Sequence, residues 1–192
     1  MTPTLIHNAR LVDPDAGTVQ PGAVLLRDGQ IAEIMPIPTP EVSDQIAPPE
    51  ARIDARGKVL APGIVDIGVK VGEPGERHRE SYRSAGLAAA AGGVTTIVTR
   101  PDTSPVIDTP EALEFIRRRA SADAPVNVAH IAALTKGMAG SEMSEIGFLM
   151  DAGAVAFSDC TQVIANTKVL SRAMTYARSL GALVIAHPQD PG

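Results

Sequence analysis

The chain has 192 residues, 44% hydrophobic and 20% charged, the composition of an ordinary soluble globular protein with enough length for one sizeable core. A formal charge of -5 without any Lys/Arg cluster leaves no footprint for nucleic acid or an anionic membrane, and two Tyr, three Phe and no Trp supply few stacking platforms. Cys160 is the single cysteine, which excludes an intrachain disulfide; no secretory leader follows Met1, and the longest low-polarity run, Gly86 to Val94, is too short to span a membrane, so a cytoplasmic setting is expected.

In residues 1–61 the pattern predicts short strands over Thr4 to Asn8, Ala23 to Arg27 and Gln30 to Met35. The last two are joined by Asp28-Gly29, a strong hairpin signal because both residues tolerate positive φ. A loop rich in proline and polar residues, Pro36 to Glu50, precedes two further strands at Ile53-Asp54 and Lys58 to Ala61. This segment reads as a small N-terminal β-layer.

From residue 62 onward the period changes. Strands are predicted at Ile64 to Val71, Val94 to Thr99, Val126 to Ile131, Ala154 to Phe157 and Leu183 to Ala186. Between them lie helices from Glu80 to Ala91, Pro110 to Arg119, Glu142 to Ala152 and Thr167 to Leu180. Thr109 followed by Pro110 is a helix start, and Gly181 follows the last turn of a helix as a left-handed cap. Strand alternating with helix implies parallel βα units, and in such a series the loops after the strand C-termini form the functional face. The expected fold is therefore α/β, with residues 62–192 forming part of a (β/α)8 TIM-type barrel of about five βα strands. A closed barrel takes about 250 residues, so the reading is of a truncated or shortened form whose open edge calls for a partner, a second copy or covering loops.

The stretch Ala61-Pro62-Gly63-Ile64-Val65-Asp66-Ile67-Gly68-Val69-Lys70 runs into Val71-Gly72-Glu73-Pro74-Gly75. It resembles the first barrel strand of the dihydroorotases, cyclic-amide hydrolases of the amidohydrolase superfamily, which read Ala-Pro-Gly-x-Val-Asp-x-His-x-His-Leu-Arg-x-Pro-Gly. Gly92-Gly93-Val94-Thr95-Thr96, Pro101-Asp102-Thr103-Ser104-Pro105, Thr135-Lys136-Gly137, Gly153 to Asp159, and His187 ahead of Asp190-Pro191 follow in the family's order. The resemblance implies that Gly68 and Lys70 stand where two zinc-binding histidines belong. It implies further that Gly72 replaces the arginine that grips the substrate carboxylate, that Asp102 replaces a substrate-binding asparagine, and that Cys160 replaces the second of two aspartates. Asp159 and His187 keep the family's residue types, as one carboxylate and one imidazole. Glycine donates nothing to a metal and an ammonium has no lone pair, so the donor set falls short of the three or four ligands of a catalytic zinc.

No residue stands out as catalytic. Lys70 is expected either to reach Asp102 or Asp159 or to extend into solvent. Cys160 and His187 end neighbouring strands and a thiolate–imidazole pair is conceivable there, though a lone cysteine is usually inert packing. His130 reads as a hydrogen-bonded core or rim residue, His7 and His78 as surface, Glu76 to Glu80 as a solvated loop, and Arg117-Arg118-Arg119 as the cationic end of a helix. The resemblance implies a degenerate dihydroorotase-like protein that needs no cofactor and serves aspartate transcarbamoylase as a structural partner, a homo-oligomer also being open. The alternative it implies is a zinc-dependent cyclic-amide hydrolase whose site is completed by a further segment or partner.

Overall fold

A computed structural model of the protein describes residues 3–189. The chain forms two compact units, one ending at Pro62 and the other beginning at Gly63.

In the first unit, β1 (Thr4–Asp13), β2 (Thr18–Arg27), β3 (Gln30–Met35), β4 (Arg52–Asp54) and β5 (Val59–Leu60) make one sheet in the order β3-β2-β1-β4, with β5 also on β1. The β2–β3 hairpin turns on Asp28 and Gly29 at φ 50° and 77°, the left-handed pair that a two-residue turn of this kind requires. The strands β1 and β2 are about twice the length expected from the apolar runs. They persist through Pro21 and Gly22, with a bulge between Ile6 and Ala9 that shifts the register by one residue. The loop expected over Pro36 to Glu50 contains helix α1 (Pro40–Ile46), opened by the Thr39 hydroxyl, which accepts from Val42 N. Leu5, Ala23 and Ala47 form the small core of this unit.

In the second unit, β6 (Ile64–Val69), β7 (Val94–Thr99), β8 (Asn127–Ala132) and β9 (Ala154–Phe157) form a parallel sheet in sequence order. They alternate with α2 (Tyr82–Ala91), α3 (Pro110–Asp123), α4 (Ile146–Asp151) and α5 (Thr167–Leu180). The period of two sorts the strand residues. Ile97, Ala132 and Phe157 enter the large core with Tyr82, Leu113, Ile116 and Leu149, whereas Val98, Ile131 and Ala156 form a smaller cluster with Ile185. The fifth expected strand, Leu183 to Ala186, is a single bridge: Phe157 N donates to Leu183 O and Ile185 N to Phe157 O, both at 2.9 Å.

Three element ends differ from expectation for identifiable reasons. Helix α2 starts after Ser81, which shares a capping box with Ser84. Helix α4 starts late because Met143 bridges to Thr135 and the buried Ser144 hydroxyl donates to Ala133 O and Leu134 O, tying this stretch to the loop after β8. Helix α3 runs four residues beyond Arg119, so the three arginines do not end it. Arg119 instead pairs with Asp123 one turn on, and Arg117 donates to Ala152 O, the carbonyl that closes α4. The cation does serve a helix C-terminus, that of a neighbour. No helix among the described residues is long and apolar enough to cross a membrane.

Candidate functional site

The site lies beyond the C-terminal ends of β6 to β9, and the backbone at the end of β6 sets its geometry. The ladder between β6 and β7 slips between Ile67 and Val69, leaving Gly68 as a bulge at φ 91°. That angle favours glycine over any L residue. A Cβ built on Gly68 meets nothing within 4 Å, so the position opens onto free space. Gly72 is the opposite case. A Cβ there lies 2.5 Å from Glu76 O, and the position that holds an arginine in the resembled pattern admits no side chain.

Lys70 reaches across to the next strand loop, with Nζ 3.2 Å from Asp102 Oδ2. Arg100, at the end of β7, donates from Nε and Nη2 to the two oxygens of Asp102 at 3.0 and 2.8 Å. Cys160 Sγ donates to Asp102 Oδ1 at 3.7 Å. One carboxylate thus gathers an ammonium, a guanidinium and a thiol from three strand ends. Burial first, and then the Asp102 charge, push the Cys160 thiol above its ordinary value, with Arg100 pulling the other way. The thiol stays protonated and donates to a carboxylate, and a nucleophilic pair with His187 has no support in this arrangement.

Asp159 is 4% exposed and fully engaged. Leu134 N and Thr135 N donate to its Oδ1, both at 2.9 Å, and the Thr135 hydroxyl donates to its Oδ2. It ties the end of β9 to the loop after β8. Lys70 therefore chooses Asp102 of its two possible partners. His187 is exposed and lines the rim of two adjoining cavities with Ile185 and Ala186. Asp190 and Pro191, which follow it in the resembled motif, lie outside the described residues.

One polar feature escaped the sequence reading, and one expected core residue is found in place. Glu73, 5% exposed, accepts from Arg119 Nε at 3.0 Å and Tyr82 N at 3.3 Å, with Arg77 Nε at 3.7 Å. The chain just ahead of the expected solvated loop, Glu76 to Glu80, is thereby fastened to α2 and α3, while Arg77, His78 and Arg79 are exposed as expected. His130 is 1% exposed, with Nδ1 2.7 Å from the Thr99 hydroxyl, its ring edge-on to Tyr82, and Nε2 without a partner. Burial, and secondarily the Arg117 charge, lower its pKa from 6.5 to about 4. It is a neutral core residue.

Zinc is the metal that the resembled pattern implies. The corresponding positions offer a glycine, an ammonium, a carboxylate consumed by three donors, and one imidazole. Among the described residues no three His, Cys, Asp or Glu converge. These residues do not fit a catalytic zinc.

The sequence profile of the Dihydro-orotase-like family matches residues 57–192. The chain belongs to this family. It is 40% identical over 189 residues to a dihydroorotase of Solibacter usitatus, covering 98% of this chain and 42% of that one. It is also 40% identical over 185 residues to a dihydroorotase-like protein of Pseudomonas putida, covering 96% and 42%. Among solved structures, the L-hydantoinase (dihydropyrimidinase) of Arthrobacter aurescens superposes with a TM-score of 0.83 at 25% identity, over 99% of this chain and 41% of its own. The dihydroorotase-like chain spans less than half the length of these relatives. Its α/β architecture is accordingly a portion of an amidohydrolase barrel preceded by a β-sheet.

Proposed function

We propose that this dihydroorotase-like chain belongs to pyrimidine biosynthesis and acts there without hydrolysing substrate, as a structural partner of aspartate transcarbamoylase. The observation that carries the reading is the Lys70–Asp102 ion pair at a family metal position. Hydrolysis of a cyclic amide needs a metal to lower the pKa of bound water to about 7 and to polarise the carbonyl. Lys70 brings a positive charge to that place and offers neither a ligand nor an open coordination site. The partner role draws support from β6, which has a neighbour on one side only among the described residues and exposes Ile64, Val65 and Ile67.

Metal content after equilibration with zinc, measured alongside dihydroorotate turnover and co-migration with purified aspartate transcarbamoylase, tests the reading. Near-zero zinc with a stable complex is expected. One retained zinc per chain with turnover would overturn it, and self-association alone, read from mass in solution, would replace the partner with a second copy. A zinc-dependent cyclic-amide hydrolase is the second reading. It is favoured by His187 at the cavity rim and by relatives more than twice as long, whose further length could supply ligands.

A further inference from the structure

Helix α4 is packed on both flanks. Arg117 of α3 donates to its closing carbonyl, Ala152 O. On the other side a Cβ at Gly147 would lie 3.2 Å from the Tyr176 hydroxyl oxygen and 3.8 Å from Leu180 Cδ1, so α5 meets α4 at a glycine. Phe148, the next residue, is nonetheless 65% exposed, with Tyr176 and Leu180 at 40% and 37%. An aromatic left bare between two neighbouring helices marks a contact surface, because the fold around it is already closed.

The charges on the two sides of this apolar seam have opposite sign. Toward α3, a cavity of about 580 Å³ is lined by Phe148 with Asp108, Glu111, Glu145 and Lys136. Lys136 is engaged by Glu142, and neither Glu111 nor Glu145 has an ion-pair or hydrogen-bond partner among the described residues, so this flank carries uncompensated negative charge. Along α5, Lys168, Arg172, Tyr176 and Leu180 recur every fourth residue and form one stripe. The helix holds Lys168, Arg172 and Arg178 and no acidic residue. The Lys168 and Arg172 side chains have no partner among the described residues, and with Tyr176 they line a shallow groove of about 830 Å³.

We infer that this helix face is the interface of a two-fold dimer of the chain. The acidic flank of one copy lies on the basic flank of the other, and Phe148, Tyr176 and Leu180 of both copies meet about the axis. A surface with an apolar centre and one flank of each sign is complementary to itself after a two-fold rotation, and each contact then occurs twice. That pattern selects a second copy as the occupant, because a partner of one sign would satisfy one flank and oppose the other. The interface lies on the helix layer, away from the strand-end site, and does not use β6. It stands whether or not the chain hydrolyses a substrate.

The test is sedimentation velocity of the full chain over a concentration series at low and high salt. A dimer that weakens as salt is added is expected. Arg172→Glu and Glu145→Arg are each expected to weaken it roughly tenfold or more, and Phe148→Ser to weaken it as well. An equimolar mixture of the two charge-reversed variants is expected to regain the dimer, since each copy then presents the sign that the other lacks at both symmetric contacts. Recovery on mixing also shows that neither variant has simply failed to fold. A monomer at every concentration, a dimer indifferent to all three substitutions, as pairing through β6 would give, or no recovery on mixing would overturn the proposal. Co-migration with aspartate transcarbamoylase and zinc-dependent turnover decide the functional reading separately, so the two failures are distinct.

Discussion

Asp102 is the residue on which the site turns, because it neutralises Arg100 and anchors Lys70 while taking a hydrogen bond from Cys160. The two cations are not equivalent. The Lys70 side chain is 53% exposed and Arg100 27%. Lys70→Met should therefore cost at most about 1 kcal/mol of stability, read from urea denaturation; full retention would argue that the pair is only a surface contact. Asp102→Ala leaves a largely buried guanidinium without its counter-ion and should cost about 2 kcal/mol or more. His130 gives a pH signature. Its folded pKa lies below the unfolded value, so its contribution is complete above about pH 6.5, declines as the pH falls, and is gone below about pH 4. The difference amounts to about 3 kcal/mol, and His130→Leu, which carries no titrating ring, should show a flatter stability curve across that window. The substitutions at Gly68 and Lys70 were legible in the sequence because the motif around them is contiguous. Arg100 and Glu73 were not, since their partners are set by how strand ends and helices meet and no local spacing encodes that.

Among the elements, α1 and α3 open on the same three letters, Thr39-Pro40-Glu41 and Thr109-Pro110-Glu111. In each, the threonine hydroxyl accepts from the third residue on, and the proline occupies a position whose N–H has no helical partner. Only the second start was predicted. The first sits among Pro36, Pro38, Pro48 and Pro49, and that density of helix breakers hides a seven-residue helix. Thr109→Ala should lower stability by about 1 kcal/mol, measured by thermal or chemical melting. The alternation of strand and helix was legible along residues 63–189, because the strands are largely apolar and α2, α3 and α5 each open on a side-chain cap. The reach of α3 past Arg119 was not, because the Arg119–Asp123 pair that continues it depends equally on Glu73 from another segment. Glu73→Ala removes a buried acceptor from Tyr82 N and from Arg119, which keeps Asp123, and should cost about 1–2 kcal/mol, read from chemical denaturation.

At the scale of the whole molecule, the two units differ in how much they bury. The buried cluster of the first is small, Leu5, Ala23 and Ala47, while the second joins four helices and four strands in a large core. Amide exchange followed by mass spectrometry should therefore be slowest at Ile97, Val98, Ile131 and Ala132 in the central strands, and fast along β3, which is exposed from Gln30 to Ile34. Equal protection in the two units would contradict this. The bulge at the end of β6 carries a consequence for the history of such a site. Writing histidines back into residues 68 and 70 would restore the letters of a ligand motif without its geometry. An L side chain at the Gly68 backbone angle is strained by about 1–3 kcal/mol, and the slipped ladder breaks the every-second-residue alternation that brings two histidines to one side. Two codons cannot reverse a change that is also held in the main chain, and for this protein the road back to a paired-histidine strand would first have to straighten β6.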